Sequence, residues 1–216
     1  MINLDNCNLD LMDITYNVDS EIFKKFVAPH YNPSDEPVAI CVGATSPDEG
    51  TVLKEFHKQE YGKDVKIAAC NIRDSPGPLF YRLNPYDYLM FNIFQGDART
   101  SYPYLSALEE FNALKEGKGF DLAYIRNPDL VSLSDWEAIF LSTVENLSNE
   151  GIAITLIRED DTQKYSRLLR LLNDRRVVPV FSGETGMSFL EDSESDFLIE
   201  NFHHTLGIFK KPEGFR

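Results

Sequence analysis

Cysteine is scarce in this sequence, basic residues are outnumbered, and long apolar runs are absent. The three cysteines, Cys7, Cys41 and Cys70, are odd in number, and none forms a Cys-x-x-Cys pair. Such usage fits a reducing compartment and no disulfide framework, so a cytoplasmic protein is expected. No stretch approaches the ~18 apolar residues of a membrane span. The acidic N-terminus lacks the basic and apolar regions of a signal peptide, so no membrane association is expected. Lys and Arg number 21 against 35 Asp and Glu, for a net charge of −14. Such a surface repels phosphate backbones, which points to a small-molecule or protein partner and away from nucleic acid. Arg170, Arg175 and Arg176 lie close in sequence and read as a solvated helix end.

Several chemical signatures are missing too. Gly-x-G-x-x-Gly and Gly-Lys-Ser/Thr do not occur, which removes the dinucleotide fingerprint and the P-loop. A Tyr-x-x-x-Lys pair is absent, which disfavours a nicotinamide oxidoreductase. So is a Gly-x-Ser-x-Gly elbow, and no ligand cluster has metal-site spacing, which disfavours a hydrolase. His203 and His204 are adjacent and would point to opposite faces of a strand, so they read as edge or packing residues. Cys41 and Cys70 read as small core residues, and Trp136 as helix packing.

What is present is an alternation of short apolar runs with amphipathic stretches. Residues 1–37 read as an N-terminal extension in which Ser20 caps a short helix bearing Ile22, Phe23, Phe26 and Val27, stopped by Pro29. Residues 38–216 read as one domain. Its expected strands are Val38–Val42, Val65–Cys70, Phe91–Phe94, Phe120–Ile125, Ile152–Ile157, Val177–Phe181 and Thr205–Phe209. Between the first two, Ser46-Pro47-Asp48-Glu49 forms a capping box with Pro47 at the first helical position. Leu105, Leu108, Phe111 and Leu114 recur at helical spacing. Ser134-Asp135-Trp136-Glu137 forms a second box, for a helix ended by Gly151. Tyr165, Leu168, Leu169 and Leu172 mark one more helix. The expected fold is α/β and doubly wound: a mostly parallel seven-stranded sheet, helices on both faces, last strand antiparallel.

In such sheets ligands bind beyond the carboxyl ends of the strands. After the first strand comes Gly43-Ala44-Thr45, where glycine permits a sharp turn and close approach. Asp48 and Glu49 then occupy the first helical turn and would repel a pyrophosphate, so a nucleoside without phosphate fits better. Asn71-Ile72 ends the second strand, Gly96-Asp97-Ala98 follows the third, and Arg126-Asn127 follows the fourth. Asp97 can also be read as the cap of the following helix, and Asn127-Pro128 as a plain turn.

This order of segments resembles the class I S-adenosylmethionine-dependent methyltransferases. The residues that carry the resemblance are Val42-Gly43, Gly96-Asp97-Ala98, Phe120-Asp121-Leu122 and Asn149-Glu150-Gly151, across about residues 38–209. The resemblance implies a Rossmann-like fold and S-adenosylmethionine as cofactor. Gly43, Ala44 and Thr45 would face its methionine part, Asn71 its ribose and Asp97 its adenine, with Ile72 and Ala98 also among the cofactor-binding residues. Arg126 and Asn127 would lie beside the transferable methyl group. The pattern departs at Thr45 and Pro47, where glycines are usual, and at Cys41 and Asn71, where acids are usual. No catalytic residue is assigned. The sequence therefore supports a methyltransferase acting on a small molecule or a protein, with a non-catalytic nucleoside-binding or scaffold protein on the same fold as the alternative.

Overall fold

The computed structural model describes residues 18–44, 47–71, 86–91, 118–126, 128, 130–158, 161–186 and 204–214. Its strands are β1 (Val38–Val42), β2 (Lys66–Asn71), β3 (Tyr88–Phe91), β4 (Phe120–Arg126), β5 (Leu147–Arg158), β6 (Pro179–Glu184) and β7 (His204–Lys210). They form one sheet in the order β3-β2-β1-β4-β5-β7-β6. The pairs from β3 through β5 are parallel, and β7 runs antiparallel to both β5 and β6.

Burial explains the strand sequences. β1 is buried at every position, as a central parallel strand covered on both faces must be, and its sequence is accordingly apolar throughout. β6 alternates half-buried and exposed residues, the pattern of an edge strand with one face covered. Helices α1 (Pro47–Tyr61), α2 (Leu133–Glu145) and α3 (Thr162–Asp174) divide between the two faces. Val38, Ile40 and Val42 meet α2 and α3 through Phe140, Val144, Leu168 and Leu172. Ala39 and Cys41 meet α1 and the N-terminal segment through Val52, Leu53, Phe56, Ile22 and Phe23. That segment is helical over 18–22, widens into a π-helix over Phe23–Val27 and tightens into a 3₁₀ turn over Ala28–His30. Phe23 packs edge-on against Phe56 and Tyr124, with ring centroids 5.2 and 5.1 Å apart. Each such pair adds about 0.5–1.5 kcal/mol beyond its area burial. None of the described helices is long and apolar enough to cross a membrane.

Several expected boundaries shift. The third strand is Tyr88–Phe91, three residues before the apolar run Phe91–Phe94. Its register against Ala68–Asn71 fixes the choice, which local hydrophobicity leaves open. Ser20 lies inside a helix already running at residue 18 and is not its cap, and Pro29 sits inside the 3₁₀ turn without ending the helical path. The cap of α2 is Ser132, two residues before Ser134: Ser132 is extended, its carbonyl accepts from Trp136 N at 3.2 Å, and its Oγ donates to Asp135 Oδ2 at 2.6 Å. Gly151 does not end that helix, which stops at Glu145; it lies within β5. A side chain there would run into the Phe120 carbonyl, beside the irregular register between Phe120 and Leu122. β6 begins at Pro179 and runs to Glu184, later than Val177–Phe181. The helix expected around Leu105–Leu114 lies outside the described residues.

Candidate functional site

The strand order reverses between β1 and β4, and the carboxyl ends of β1, β2 and β4 lie side by side there. Val42 pairs with Cys70 on one side and Ile125 on the other. Gly43, Asn71 and Arg126, each one residue further on, therefore share the same edge, with neighbouring strands about 4.8 Å apart. Gly43 has φ +74°, a conformation that favours glycine. The Gly43 and Ala44 amides both donate to the Cys70 carbonyl, at 2.8 and 3.0 Å. The tip of the Trp136 ring stands 3.5 Å from where a Gly43 side chain would begin. The indole, half-buried in the first turn of α2, thus packs over this turn.

A buried charged cluster lies on the α1 side of this edge. Leu122, Tyr124 and Arg126 alternate onto one face of β4. Asp19, brought in by the N-terminal helix, accepts from Tyr124 Oη and Arg126 Nε, both at 2.8 Å. Asp19 is fully buried, and the Arg126 side chain is 14% exposed. Asp48 and Glu49 are buried in the first turn of α1, where the positive helix end favours carboxylates. Glu49 Oε2 accepts from Tyr86 Oη at 3.4 Å, and Tyr86 Oη accepts from the Gly50 amide at 3.2 Å. The titration shifts fit this picture. Burial and Asp19 raise Tyr124 well above the ordinary tyrosine range. Burial alone would lower Arg126, but Asp19, Tyr124 and Glu49 hold it firmly charged. Burial and then Glu49 push the Cys41 thiol up, so it stays protonated. Among the described residues, Arg126 is the partner of Asp19, and Asp48 and Glu49 place two carboxylates at the start of α1. Carboxylates at a helix start oppose a phosphate there.

No protein-family signature matches the chain, and no curated protein sequence resembles it. Solved structures do. The N-methyltransferase NodS from Bradyrhizobium japonicum shares 9% identity at TM-score 0.50, over 93% of this chain and 97% of its own. A candidate class I S-adenosylmethionine-dependent methyltransferase from Listeria monocytogenes shares 9% at TM-score 0.51, over 92% of this chain and 59% of its own. Precorrin 8w decarboxylase from Methanobacterium thermoautotrophicum shares 16% at TM-score 0.52, over 90% and 89%. The fold is that of the class I methyltransferases.

On this methyltransferase-like fold the sequence-derived residues divide plainly. Gly43 and Ala44 form the turn after β1, and Arg126 ends β4 and is held by Asp19. Asn71 closes β2, its backbone paired with Phe91; its side chain is outside the described set. Thr45, Ile72, Asp97, Ala98 and Asn127 lie outside the described residues. Asp121, part of the Phe-Asp-Leu segment, works at the opposite edge. Its carboxylate accepts from Ser34 N, Ser34 Oγ and Val38 N at 2.9, 3.1 and 3.0 Å, tying the start of β4 to the approach to β1. A cleft of about 500 Å³ opens at that edge beside Asp121, Lys118 and Lys211, away from the strand ends that carry Gly43 and Arg126.

Sequence reasoning missed Asp19, Tyr86 and Tyr124 near the site, and it placed Glu49 in the first helical turn without its buried partner. A signal existed for the two acids. Glu49 falls on the same helical stripe as Val52, Leu53 and Phe56, and Asp19 on that of Ile22 and Phe23, all of them buried. A carboxylate at a core-facing position needs a buried partner, and both have one.

Proposed function

We propose that this protein is an S-adenosylmethionine-dependent methyltransferase acting on a small molecule or a protein. The strand order β3-β2-β1-β4-β5-β7-β6 with antiparallel β7 supports this reading: the Gly43 turn and Arg126 share the carboxyl edge of the sheet, the edge at which ligands of such sheets bind. The described residues suit this cofactor. The buried carboxylates at the start of α1 are compatible with a cationic sulfonium and oppose a phosphate, and glycine at position 43 leaves the turn without a side chain. When bound, the cofactor supplies an electrophilic methyl carbon with a good leaving group. The chain's task is then mainly alignment. Gly43 and Ala44 would border the methionine part, Asn71 and Ile72 the ribose, Asp97 and Ala98 the adenine, with Thr45, Arg126 and Asn127 completing the crevice.

Calorimetric titration with S-adenosylmethionine and S-adenosylhomocysteine tests this. Binding of both is expected, weakened in Asp97→Ala with the fold intact; no heat of binding at millimolar ligand would sink the reading. One observation favours a second reading, a nucleoside-binding protein without activity. The Gly43 and Ala44 amides are both spent on the Cys70 carbonyl, which leaves fewer donors for a ligand. Cofactor binding with no transfer of a labelled methyl group to any acceptor in an extract would select it.

A further inference from the structure

Arg126 is held at one end of its guanidinium and open at the other. Its Nε donates to Asp19 Oδ2 at 2.8 Å, and Tyr124 Oη donates to the same oxygen at 2.8 Å. A guanidinium carries several N–H donors, and this contact takes only the one on Nε. Among the described residues, Nη1 and Nη2 have no hydrogen-bond partner. Neither is sealed from solvent as Asp19 Oδ1 is, so the 14% of the side chain that stays exposed includes the Nη end. A ligand can meet this end without disturbing the Asp19 contact.

The position of that end in the sheet gives it a use. Arg126 is the last residue of β4, next to Gly43 across the paired ends of β1 and β4. The Gly43 and Ala44 amides are turned onto the Cys70 carbonyl. Among the described residues of this stretch, the donors left open are therefore the cationic Nη groups. Two parallel N–H groups on a planar cation match the two oxygens of a carboxylate, and such charged pairs are roughly twice as strong as neutral hydrogen bonds. A neutral ligand would leave the charge unused. Asp19 already offsets the guanidinium, and Asp48 and Glu49 stand at the start of α1, so a singly charged carboxylate fits better than a phosphate dianion.

We propose that the Nη fork of Arg126 binds a carboxylate of the ligand in this crevice. This rests on reading the carboxyl edge as the cofactor crevice. Two sources supply such a group: the α-carboxylate on the methionine part of the cofactor, and a carboxylate on the methyl acceptor. Both present the same chemistry to Arg126. The bond from Nε to Asp19 fixes the stem of the guanidinium and leaves the fork free. Lysine would carry the charge without the planar fork, so it is no equivalent here.

The test is calorimetry on the full chain at pH 7. S-adenosylhomocysteine is compared with its decarboxylated analogue, which keeps the amine, and benzoate is compared with benzamide on the chain loaded with S-adenosylhomocysteine. A cofactor carboxylate at Arg126 makes S-adenosylhomocysteine bind at least tenfold more tightly than the analogue and leaves benzoate and benzamide within threefold of each other. An acceptor carboxylate reverses the two results: the adenosyl pair lies within threefold, and benzoate binds at least tenfold more tightly than benzamide. Either preference should fall below threefold in Arg126→Lys, whose charge still faces Asp19 and whose fold is checked by circular dichroism. Affinity for 5′-methylthioadenosine, which has no carboxylate, should shift by less than threefold in that variant, a readout that general loss of structure would not spare. The double variant Asp19→Asn/Arg126→Gln buries no charge and should lose the preference in the same way, which covers the case of a poorly folded lysine variant. A preference that survives both variants overturns the fork. Adenosyl ligands that bind with no carboxylate preference in either pair sink the fork alone. Benzoate preferred over benzamide by a chain that binds no adenosyl ligand, with the preference lost in Arg126→Lys, sinks the cofactor reading alone.

Discussion

Arg126→Met removes the guanidinium while keeping an unbranched apolar stem at the end of β4. Asp19, buried and 2.8 Å from Arg126 Nε, is then left with Tyr124 Oη as its donor. Deleting one partner of a buried ion pair costs about 3–5 kcal/mol, because the other charge stays buried and uncompensated. For a chain of this size each kcal/mol lowers Tm by about 2–4 °C, so the expected fall is about 6–20 °C. The double variant Asp19→Asn/Arg126→Met removes both charges and should regain at least half of that loss, since a neutral amide can still accept from Tyr124. Thermal melts and urea titrations of the wild type, both single variants and the double variant close the cycle. A single-variant cost below about 1 kcal/mol refutes the argument that this pair is a committed buried contact. So does strict additivity in the double variant.

Three further outcomes follow from named contacts. His57 Nδ1 donates to Leu53 O and Nε2 accepts from Tyr31 Oη, each at 2.7 Å, and burial lowers its pKa below 6.5. Below 6.5 the unfolded chain binds the proton more readily, so stability rises with pH across this range. The advantage of wild type over His57→Leu should be full at pH 7 and shrink as pH falls toward 5; a pH-independent difference contradicts it. Arg176 ends α3 at φ 65°, with the Arg176 and Val177 amides bonded to the Asn173 and Leu172 carbonyls. Arg176→Gly should therefore stabilise by about 0.5–1 kcal/mol, whereas Gly151→Ala, which drives a methyl into the Phe120 carbonyl, should cost about 1–3 kcal/mol; urea titration reads both. Burial pushes the Cys70 thiol up to about 12 and Cys41 up as well, so neither should react with Ellman's reagent at pH 8 until the chain unfolds. Labelling of either in the folded protein within minutes would contradict that.

The parts of this fold written in local sequence were the parts legible there. β1 and the core of β5 are continuous apolar runs, and Pro47 opens α1 where a first-turn proline belongs. β3 was displaced because Tyr88–Phe91 and Phe91–Phe94 are both plausible strands, and only pairing with β2 chooses between them. The role of Asp121 was illegible because its partner Ser34 is 87 residues away. The candidate site was half legible. Residues that end strands, Gly43 and Arg126, follow from where the apolar runs stop. Asp19 joins the site through a contact 107 residues long, and no local pattern specifies which strand a buried carboxylate will meet.

The first turn of α1 bears on which ligands this common sheet topology can take. A helix start carries about half a positive charge and unpaired amides, which on many sheets of this kind receive a phosphate. Here Asp48 and Glu49 bury two carboxylates at that end, where they complement its partial positive charge. The amides of Gly43 and Ala44, the other natural donors for a phosphate, are turned onto the Cys70 carbonyl. Among the described residues, the edge holds a glycine turn, an indole packed over it, and the carboxylates Asp19, Asp48 and Glu49 together with Arg126. Carboxylates so placed oppose the diphosphate of a dinucleotide, in keeping with the proposed nucleoside cofactor, whose charge is positive. The acids that depart most from a phosphate-binding design are thus the residues that keep the cofactor reading consistent with the fold.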